Sequence, residues 1–376
     1  MPLLNILHFV ILVVSSYFLL NTISNIIYLK YQSKKPSVKK GPKISVLVPA
    51  RNEEENIRAC LEYLLDQDYE NYEILVMNDN STDRTGEILD EMAREYPRLR
   101  IYNGAPLKEG WFGKPYALQQ LCEYADGDYF LFSDADTIHS RTSLSFCMTN
   151  ALYHKTDLLS AYPRELIGTF GEVMNVSAMF LMTSIIMPLP AIDLWKWKHA
   201  SFCLGQYFFI RSDVFRKIGG FEPVKHAITE DVAFGKVVKS LGYKTKFLDA
   251  QPHVACQMYK SFGESFKGIG KNVYDAVGKN LLLFGGIIIL IGLIEYPVVR
   301  LLAGLVTAQG VPGMVAASVI LFFLMWLLVV LDRKIPLYGA ILYPAQYFLI
   351  LAMVVYFRFQ FRSGKGIVWK NRTMGR

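Results

Sequence analysis

The first constraint on this chain is a stretch without charge: no Asp, Glu, Lys or Arg occurs between Leu3 and Leu29. A helix of that length rises about 40 Å at roughly 1.5 Å per residue, enough to cross the ~30 Å hydrocarbon core of a bilayer. A membrane helix at residues 1–30 is therefore expected. A cleaved leader would want a basic start and a small-residue cleavage site, and the sequence shows neither. Six lysines follow between Lys30 and Lys43. By the positive-inside rule this basic juxtamembrane linker (31–43) puts the following polar region in the cytoplasm and the N-terminus outside.

The other end is apolar as well. Leu281 to Leu305 is hydrophobic but holds Glu295, Pro297 and Arg300. Val311 to Leu331 and Leu337 to Phe357 are cleaner, and Asp332-Arg-Lys334 separates them. The tail, 358–376, carries six basic residues and no acid. Four crossings would leave that tail outside, against the charge rule. The expectation is that Leu281 to Leu305 is re-entrant or interfacial, because Glu295, Pro297 and Arg300 are costly in lipid. The last two segments would then form a hairpin with only Asp332 to Lys334 outside, completing a C-terminal membrane region (280–357) and a cytoplasmic tail. The expected location is the plasma membrane.

Charge is segregated in the same way. Ile44 to Lys279 holds 25 Lys and Arg against 31 Asp and Glu, and the remainder holds 15 against 2. Basic charge that flanks apolar segments suits anionic lipid head groups and argues against a nucleic-acid partner. Cys60, Cys122, Cys147, Cys203 and Cys256 form no CxxC pair and read as reduced structural thiols, with no zinc site on this spacing.

Within the polar region, short apolar runs alternate with helical patterns. Strands are predicted at Ile44 to Val48, Glu73 to Met77, Arg98 to Asn103 and Tyr129 to Ser133. Helices are predicted at Glu53 to Asp66, Ser81 to Tyr96, Pro115 to Tyr124 and Val232 to Leu241. This alternation indicates an α/β fold with a mostly parallel, Rossmann-like sheet, whose ligands bind where the strands end. Three acidic clusters stand at such places. Asp79, in Asn78-Asp-Asn-Ser-Thr-Asp83, can accept hydrogen bonds from a nucleobase or ribose, although Ser81 or Thr82 capping the next helix explains the run as well. Asp134 and Asp136, straight after an apolar strand, can share a hard divalent cation that neutralises a diphosphate, where a solvated turn is the plainer reading. Glu230 and Asp231, at a helix start, match the helix dipole or supply a base.

Val48-Pro-Ala-Arg-Asn-Glu53, Asn78 to Asp83, Asp134-Ala-Asp136, Gly219-Gly-Phe221 and Thr229-Glu-Asp231, in this order and spacing, resemble the inverting family-2 glycosyltransferases of GT-A fold. The resemblance covers roughly Ile44 to Asn272. With Trp111-Phe-Gly-Lys-Pro-Tyr-Ala117, Gln257-Met-Tyr-Lys-Ser-Phe262 and the apolar flanks, it resembles the bacterial branch that glycosylates carotenoid acids, and hopanoid-associated transferases are similar. It implies a catalytic domain at 44–279 that moves one sugar, with inversion, from a nucleotide-diphosphate sugar (a UDP-sugar, UDP-glucose first) to a lipid-soluble acceptor. Pro49 and Glu53 would shape the nucleotide pocket and Asp79 would meet the base. Asp134 and Asp136 would hold Mg²⁺ or Mn²⁺ on the diphosphate, and Lys114 would add charge there. Asp231 would be the base, or would orient an acceptor that is already a carboxylate. Glu230, Gln257 and Lys260 would touch acceptor or diphosphate.

Processive members of the wider family carry Gln-x-x-Arg-Trp where this chain has Gln257-Met-Tyr-Lys260-Ser261. The planar guanidinium fork and the aromatic platform are both absent, so polymer synthesis is disfavoured. Another lipid acceptor, a polysaccharide synthase and a nucleotide-sugar-binding module are the alternatives. Finally, Val173 to Leu194 followed by Trp195-Lys-Trp-Lys198 suits an interfacial helix (173–198) beside the acceptor entrance, with a buried core helix as the alternative.

Overall fold

The computed structural model of the protein describes residues 2–201, 203–308, 310–363, 367–369 and 372–374. A seven-stranded sheet forms its centre, in the order β3-β2-β1-β4-β8-β6-β9. The strands are β1 (Ile44–Ala50), β2 (Tyr72–Asn78), β3 (Leu99–Asn103), β4 (Tyr129–Phe132), β6 (Leu158–Tyr162), β8 (Phe208–Arg211) and β9 (Thr245–Asp249). A small second sheet joins β5 (Thr137–His139), β10 (Val254–Cys256) and β7 (Arg164–Glu165), and β11 (Ile367–Trp369) pairs with β12 (Arg372–Met374) near the C-terminus. Four of the six neighbour pairs in the large sheet are parallel, and β8 runs against both its neighbours.

The register explains a proline in a central strand. Pro49 faces Met77 of β2, but pairing of β1 with β4 stops at Leu47–Phe132. Beyond that point no β4 acceptor waits for an N–H, so the missing donor costs nothing. The parallel run of β2, β1 and β4 also brings Asn78, Ala50 and Phe132 to one edge, where the first two acidic clusters follow.

The helices are α1 (Pro2–Gln32), α2 (Ile57–Leu65), α3 (Thr85–Glu95), α4 (Gly113–Glu123), α5 (Ser143–His154), α6 (Phe170–Phe180), α7 (Ala191–Leu194), α8 (Ser212–Lys217), α9 (Glu230–Ser240), α10 (Phe262–Val273), α11 (Leu281–Val306), α12 (Gly313–Asp332), α13 (Tyr338–Ile341) and α14 (Tyr343–Arg362). On one face of the sheet, Phe132, Phe208, Phe215, Phe221 and Phe234 stack as a buried aromatic group with centroids 4.5 to 6.4 Å apart. Such edge and offset pairs add about 0.5–1.5 kcal/mol each beyond burial. All five cysteines are buried and unpaired.

Three helices among the described residues are long and apolar enough to cross a membrane: Pro2–Gln32, Leu281–Val306 and Gly313–Asp332. Here the structure corrects the sequence reading. Leu281 to Leu305, expected to be re-entrant or interfacial, lies in one unbroken helix that runs through Pro297, which rules out the re-entrant form. Its costly Glu295 is turned inward with Ile291, Ile294 and Pro297 and is only 6% exposed. Leu337 to Phe357, expected as a clean span, is interrupted at Leu342, and Pro344 opens α14. The buried stripe of α14, including Tyr343, Tyr347, Ile350, Val354 and Phe357, recurs at helical spacing, and the helix packs on α6 and α10. Asp332 to Lys334, expected on the side away from the catalytic domain, lies against it. The Asp332 carbonyl accepts a bond from Gln251 Nε2 (3.1 Å), and the buried Arg333 guanidinium sits 4.1 Å above the Tyr162 ring at the end of β6.

The expected helix over 173–194 is in three pieces: α6, a π-helical turn at Leu181–Ile186, and α7. Pro188 and Pro190 prevent continuation, and the freed backbone groups find partners on α1. Asn21 Nδ2 donates to the Ile185 carbonyl (2.6 Å), and Asn25 Nδ2 to those of Ser184 (3.0 Å) and Met187 (2.8 Å). Asn25 Oδ1 in turn accepts from Leu189 N at 2.7 Å. Two buried asparagines thus satisfy irregular backbone against α1.

Candidate active site

The loops after β1 and β2 form one laced unit. Asp79 N donates to the Ala50 carbonyl (2.8 Å), and one Arg51 nitrogen bonds the carbonyls of Asp79 (2.6 Å) and Asn80 (3.0 Å). Asn52 and Asn80 take left-handed backbone, with φ of 52° and 54°, a conformation asparagine tolerates better than most side chains. Ser81 Oγ accepts from Asn52 N, and Thr82 N bonds Asn52 Oδ1. These two residues therefore tie the loops together and do not cap the next helix, which begins only at Thr85. Asp83 takes that part, accepting from Thr85 N (3.0 Å) and Glu54 N (3.1 Å). Burial would raise the Asp83 carboxyl, but hydrogen bonds from Thr85 and neighbouring N–H groups outweigh it and hold the carboxyl below its ordinary value. Glu53 N bonds the buried Thr85 hydroxyl (2.8 Å), and the Glu53 carboxylate accepts from Asn56 (3.1 Å). Asp79, only 5% exposed, lies at the head of this unit with Pro49 on the strand behind.

The second cluster gathers residues distant in sequence. Lys114, in the first turn of α4, places Nζ 2.5 Å from Asp134 Oδ1 and 3.4 Å from Glu230 Oε1. The Gly219-Gly220-Phe221 motif holds α4 in place. Both glycines have positive φ, and the turn aims Phe221 N at Gln119 Oε1 (2.8 Å). A Cβ on Gly220 would lie 2.3 Å from that oxygen, so the motif is structural. Phe112 N also bonds the Lys225 carbonyl. Asp231 begins α9 beside Glu230. Its Oδ2 accepts from Gly205 N (2.6 Å) and its Oδ1 from its own helix, at Val232 N (2.8 Å). Burial first, then the Glu230 charge, pushes the Asp231 carboxyl up to about 6, while Lys114 and the two N–H groups pull the other way. Burial opposes the Lys114 charge, but Asp134, Glu230 and Asp231 outweigh it and hold the ammonium well above its ordinary value.

Behind Asp134 stands a buried polar chain. The Asp134 carbonyl accepts from Thr137 Oγ1 (2.6 Å), Ser133 Oγ bonds Thr137 and His139, and His139 reaches Ser143, which donates to Gln67. Burial pushes His139 down to about 3, so the ring is neutral. The chain fixes the Asp134–Asp136 turn and adds no charge. Asp136 Oδ1 lies 3.6 Å from Cys256 Sγ. Beside it is the buried Glu165, which burial and then the Asp136 charge raise to about 8 against a hydrogen bond from Gln206 (3.1 Å).

Of the residues expected at the site, Lys114, Asp134, Glu230 and Asp231 come together directly. Pro49, Glu53 and Asp79 form the neighbouring loop unit. Lys260 pairs with Glu55 at the surface, and Gln257 is an exposed loop residue near Gly168. The sequence reading missed Gly205, whose absent Cβ would lie 2.9 Å from Lys114 Nζ and 3.2 Å from Asp231 Oδ2. It also missed Lys271 on α10, which burial and the nearby Lys114 lower to about 8 while Glu230, Asp231 and Asp134 pull it up. No motif marks either residue. Among the described residues no three His, Cys, Asp or Glu side chains form a metal cluster.

Residues 45–219 match the model of the family Glycosyl transferase family 2. The probable glycosyltransferase YdaM of Bacillus subtilis is 29% identical over 57% of this chain and 50% of its own. The 4,4'-diaponeurosporenoate glycosyltransferase of Staphylococcus haemolyticus is 27% identical over 62% and 61%. The chain thus spans about half to three-fifths of the length of these two relatives. Among solved structures, the mannosyltransferase PcManGT from Pyrobaculum calidifontis, in complex with GDP-Man and Mn²⁺, superposes with a TM-score of 0.50 at 16% identity, over 93% of this chain and 96% of its own. Residues 45–219 of the polar region thus match a family-2 glycosyltransferase domain, on a fold of GT-A type whose carboxylates gather where the parallel strands end.

Proposed function

We propose that this chain transfers one sugar from a nucleotide-diphosphate sugar, UDP-glucose first, to a lipid-soluble acceptor, with inversion. One observation carries the reading: Asp134, Lys114, Glu230 and the buried Asp231 share one charge-coupled site at the strand ends, beside the Asp79 loop unit. A carboxyl raised to about 6 is poised near neutrality as a general base. Gly205 N and Val232 N orient it, and Lys114 restrains its affinity for a proton.

Asp134 and Asp136 fit a hard divalent ion. They are oxygen donors one residue apart on a turn braced from behind, and with no third protein ligand among the described residues the remaining positions suit diphosphate oxygens and water. Mg²⁺ or Mn²⁺ held there would neutralise charge on the departing diphosphate. Lys114, bonded to Asp134, would meet the same oxygens. Asp231 would take the acceptor proton, or orient the acceptor if it arrives as a carboxylate.

The relatives named as diaponeurosporenoate glycosyltransferases support a carotenoid acid as acceptor. The three apolar helices support a lipid-borne one. With α1, α11 and α12 crossing and the N-terminus outside, the catalytic domain, the Asp332–Lys334 turn, α14 and the basic tail all fall on the cytoplasmic face, in keeping with the positive-inside rule. α6, the π-helical turn, α7 and the exposed Trp195 and Trp197 would then lie at the interface. The test is transfer of label from UDP-[¹⁴C]glucose into the organic phase by the full chain in lipid nanodiscs supplied with a carotenoid acid. Label should enter the lipid with Mg²⁺ or Mn²⁺ and stop with chelator; full transfer in excess chelator, or label in water-soluble product only, would contradict the reading.

A further inference from the structure

Away from the carboxylate site, a cavity of about 250 Å³ opens where α1 meets the catalytic domain. His154, Lys239, Lys244, Thr245 and Lys246 line it, with Asp193 as its one acid. Each ammonium is held in place: Lys246 Nζ by Asp193 Oδ2 (2.5 Å) and Gln32 Oε1 (3.1 Å), Lys239 Nζ by the Ile192 carbonyl (2.5 Å), and Lys244 Nζ by the His154 carbonyl (2.6 Å). Three fixed cations against one carboxylate leave the cavity positive. Burial lowers Lys246 first, Lys244 and Lys34 add to that, and Asp193 only partly opposes it.

A second observation points to a ligand. Thr245 is 4% exposed, and its hydroxyl has no hydrogen-bond partner, although it lines the cavity. A buried, unsatisfied hydroxyl is costly, and an acceptor arriving in the cavity would satisfy it. The surroundings indicate where that acceptor comes from. Gln32 ends the anchor helix, and Trp195 and Trp197, 51% and 60% exposed, follow directly on Asp193 and Leu194. Aromatic rings at the end of a membrane helix mark the head-group layer, and basic pockets on the cytoplasmic side of membrane helices take phosphate head groups.

We propose that this cavity binds the phosphate head group of an anionic phospholipid of the cytoplasmic leaflet. Lys239 and Lys244 supply charge, Thr245 Oγ1 donates a hydrogen bond, and Lys246 holds α7 against β9. The volume is below the usual range for whole small-molecule ligands and suits a head group whose acyl chains stay in the bilayer. The inference rests on the topology proposed above for placing this face at the membrane, and it is independent of the transfer reaction.

The experiment is native mass spectrometry of the full chain released from nanodiscs of phosphatidylcholine containing a minor fraction of phosphatidylglycerol. One phosphatidylglycerol per chain should be retained in preference to phosphatidylcholine. Each of Lys239→Gln and Lys244→Gln should lower that preference about fivefold. Thr245→Val keeps shape and charge and should also lower it, which separates loss of the site from loss of the fold. Equal retention of the two lipids, or undiminished preference in the double lysine variant, would overturn the proposal. Displacement of the lipid by millimolar inorganic phosphate would overturn the lipid assignment.

Discussion

At the ends of β1 and β2, Asp83 is held by hydrogen bonds from Thr85 and Glu54 in the paired loops, and its carboxyl lies below the ordinary range. Asp231 is held by one distant backbone N–H, from Gly205, and by a lysine it shares with Asp134 and Glu230, and its carboxyl lies near 6. The difference is one of means. Hydrogen bonds within the loop unit fix a shape and favour its charged form. Shared charge in a buried place leaves a group close to titration and dependent on each partner. In the proposed reaction the first arrangement suits a donor that is only held, and the second suits a step in which a proton moves.

The comparison predicts large effects on the charge-coupled side. Asp136→Ala, which removes half of the proposed clamp, should lower turnover about 10²–10³-fold. It should leave far-UV circular dichroism unchanged, because the turn is braced through the Asp134 carbonyl. Next comes pH. Transfer rate at low acceptor should fall about tenfold per unit below pH 6, as Asp231 takes up its proton. Lys114 keeps that carboxyl from rising further, so Lys114→Met should move the acid limb upward; an unmoved limb would detach Lys114 from Asp231. Gly205→Ala should cost about tenfold by displacing Lys114 and the carboxylate it faces, with thermal stability nearly retained.

On the hydrogen-bonded side effects should be smaller and should fall on binding and stability. Thr85→Val leaves the Glu53 N–H without its partner at a buried site, at a cost of about 1–3 kcal/mol. Chemical denaturation would read that loss, and donor KM should rise while kcat stays close to wild type. A kcat collapse in this variant would erase the distinction between the two halves.

The same contrast governs what could be seen in the sequence. β1, β2, β3, β4 and the helices between them follow short runs of apolar residues and turn chemistry, and their placement matches expectation within a few residues. The post-strand acids fall where a parallel sheet must put them. Ser81 and Thr82 were open to reading as caps because nothing local shows that Asn52, thirty residues earlier, claims them both. Gly205 carries no motif, since its role is to lack a Cβ where Lys114 and Asp231 converge from α4 and α9. The membrane region misled for a related reason. Glu295 and Pro297 look prohibitive in a lone helix, but both turn toward the bundle, while the apolar Leu337 to Phe357 carries a break at Leu342. Arg333 looked like a charge for the far side of the membrane, yet it packs on Tyr162. Hydropathy counts residues; which face they show is settled only by neighbours distant in sequence.

The most direct test of the central claim is Asp231→Asn in the full chain, measured for donor binding by calorimetry and for sugar transfer into lipid. The substitution keeps the shape that Gly205 N and Val232 N recognise but removes charge and basicity. Donor affinity should stay within about twofold of wild type while transfer falls about 10²–10⁴-fold. A folded variant with near-normal transfer would contradict the assignment of Asp231 and the account of the coupled site built around it.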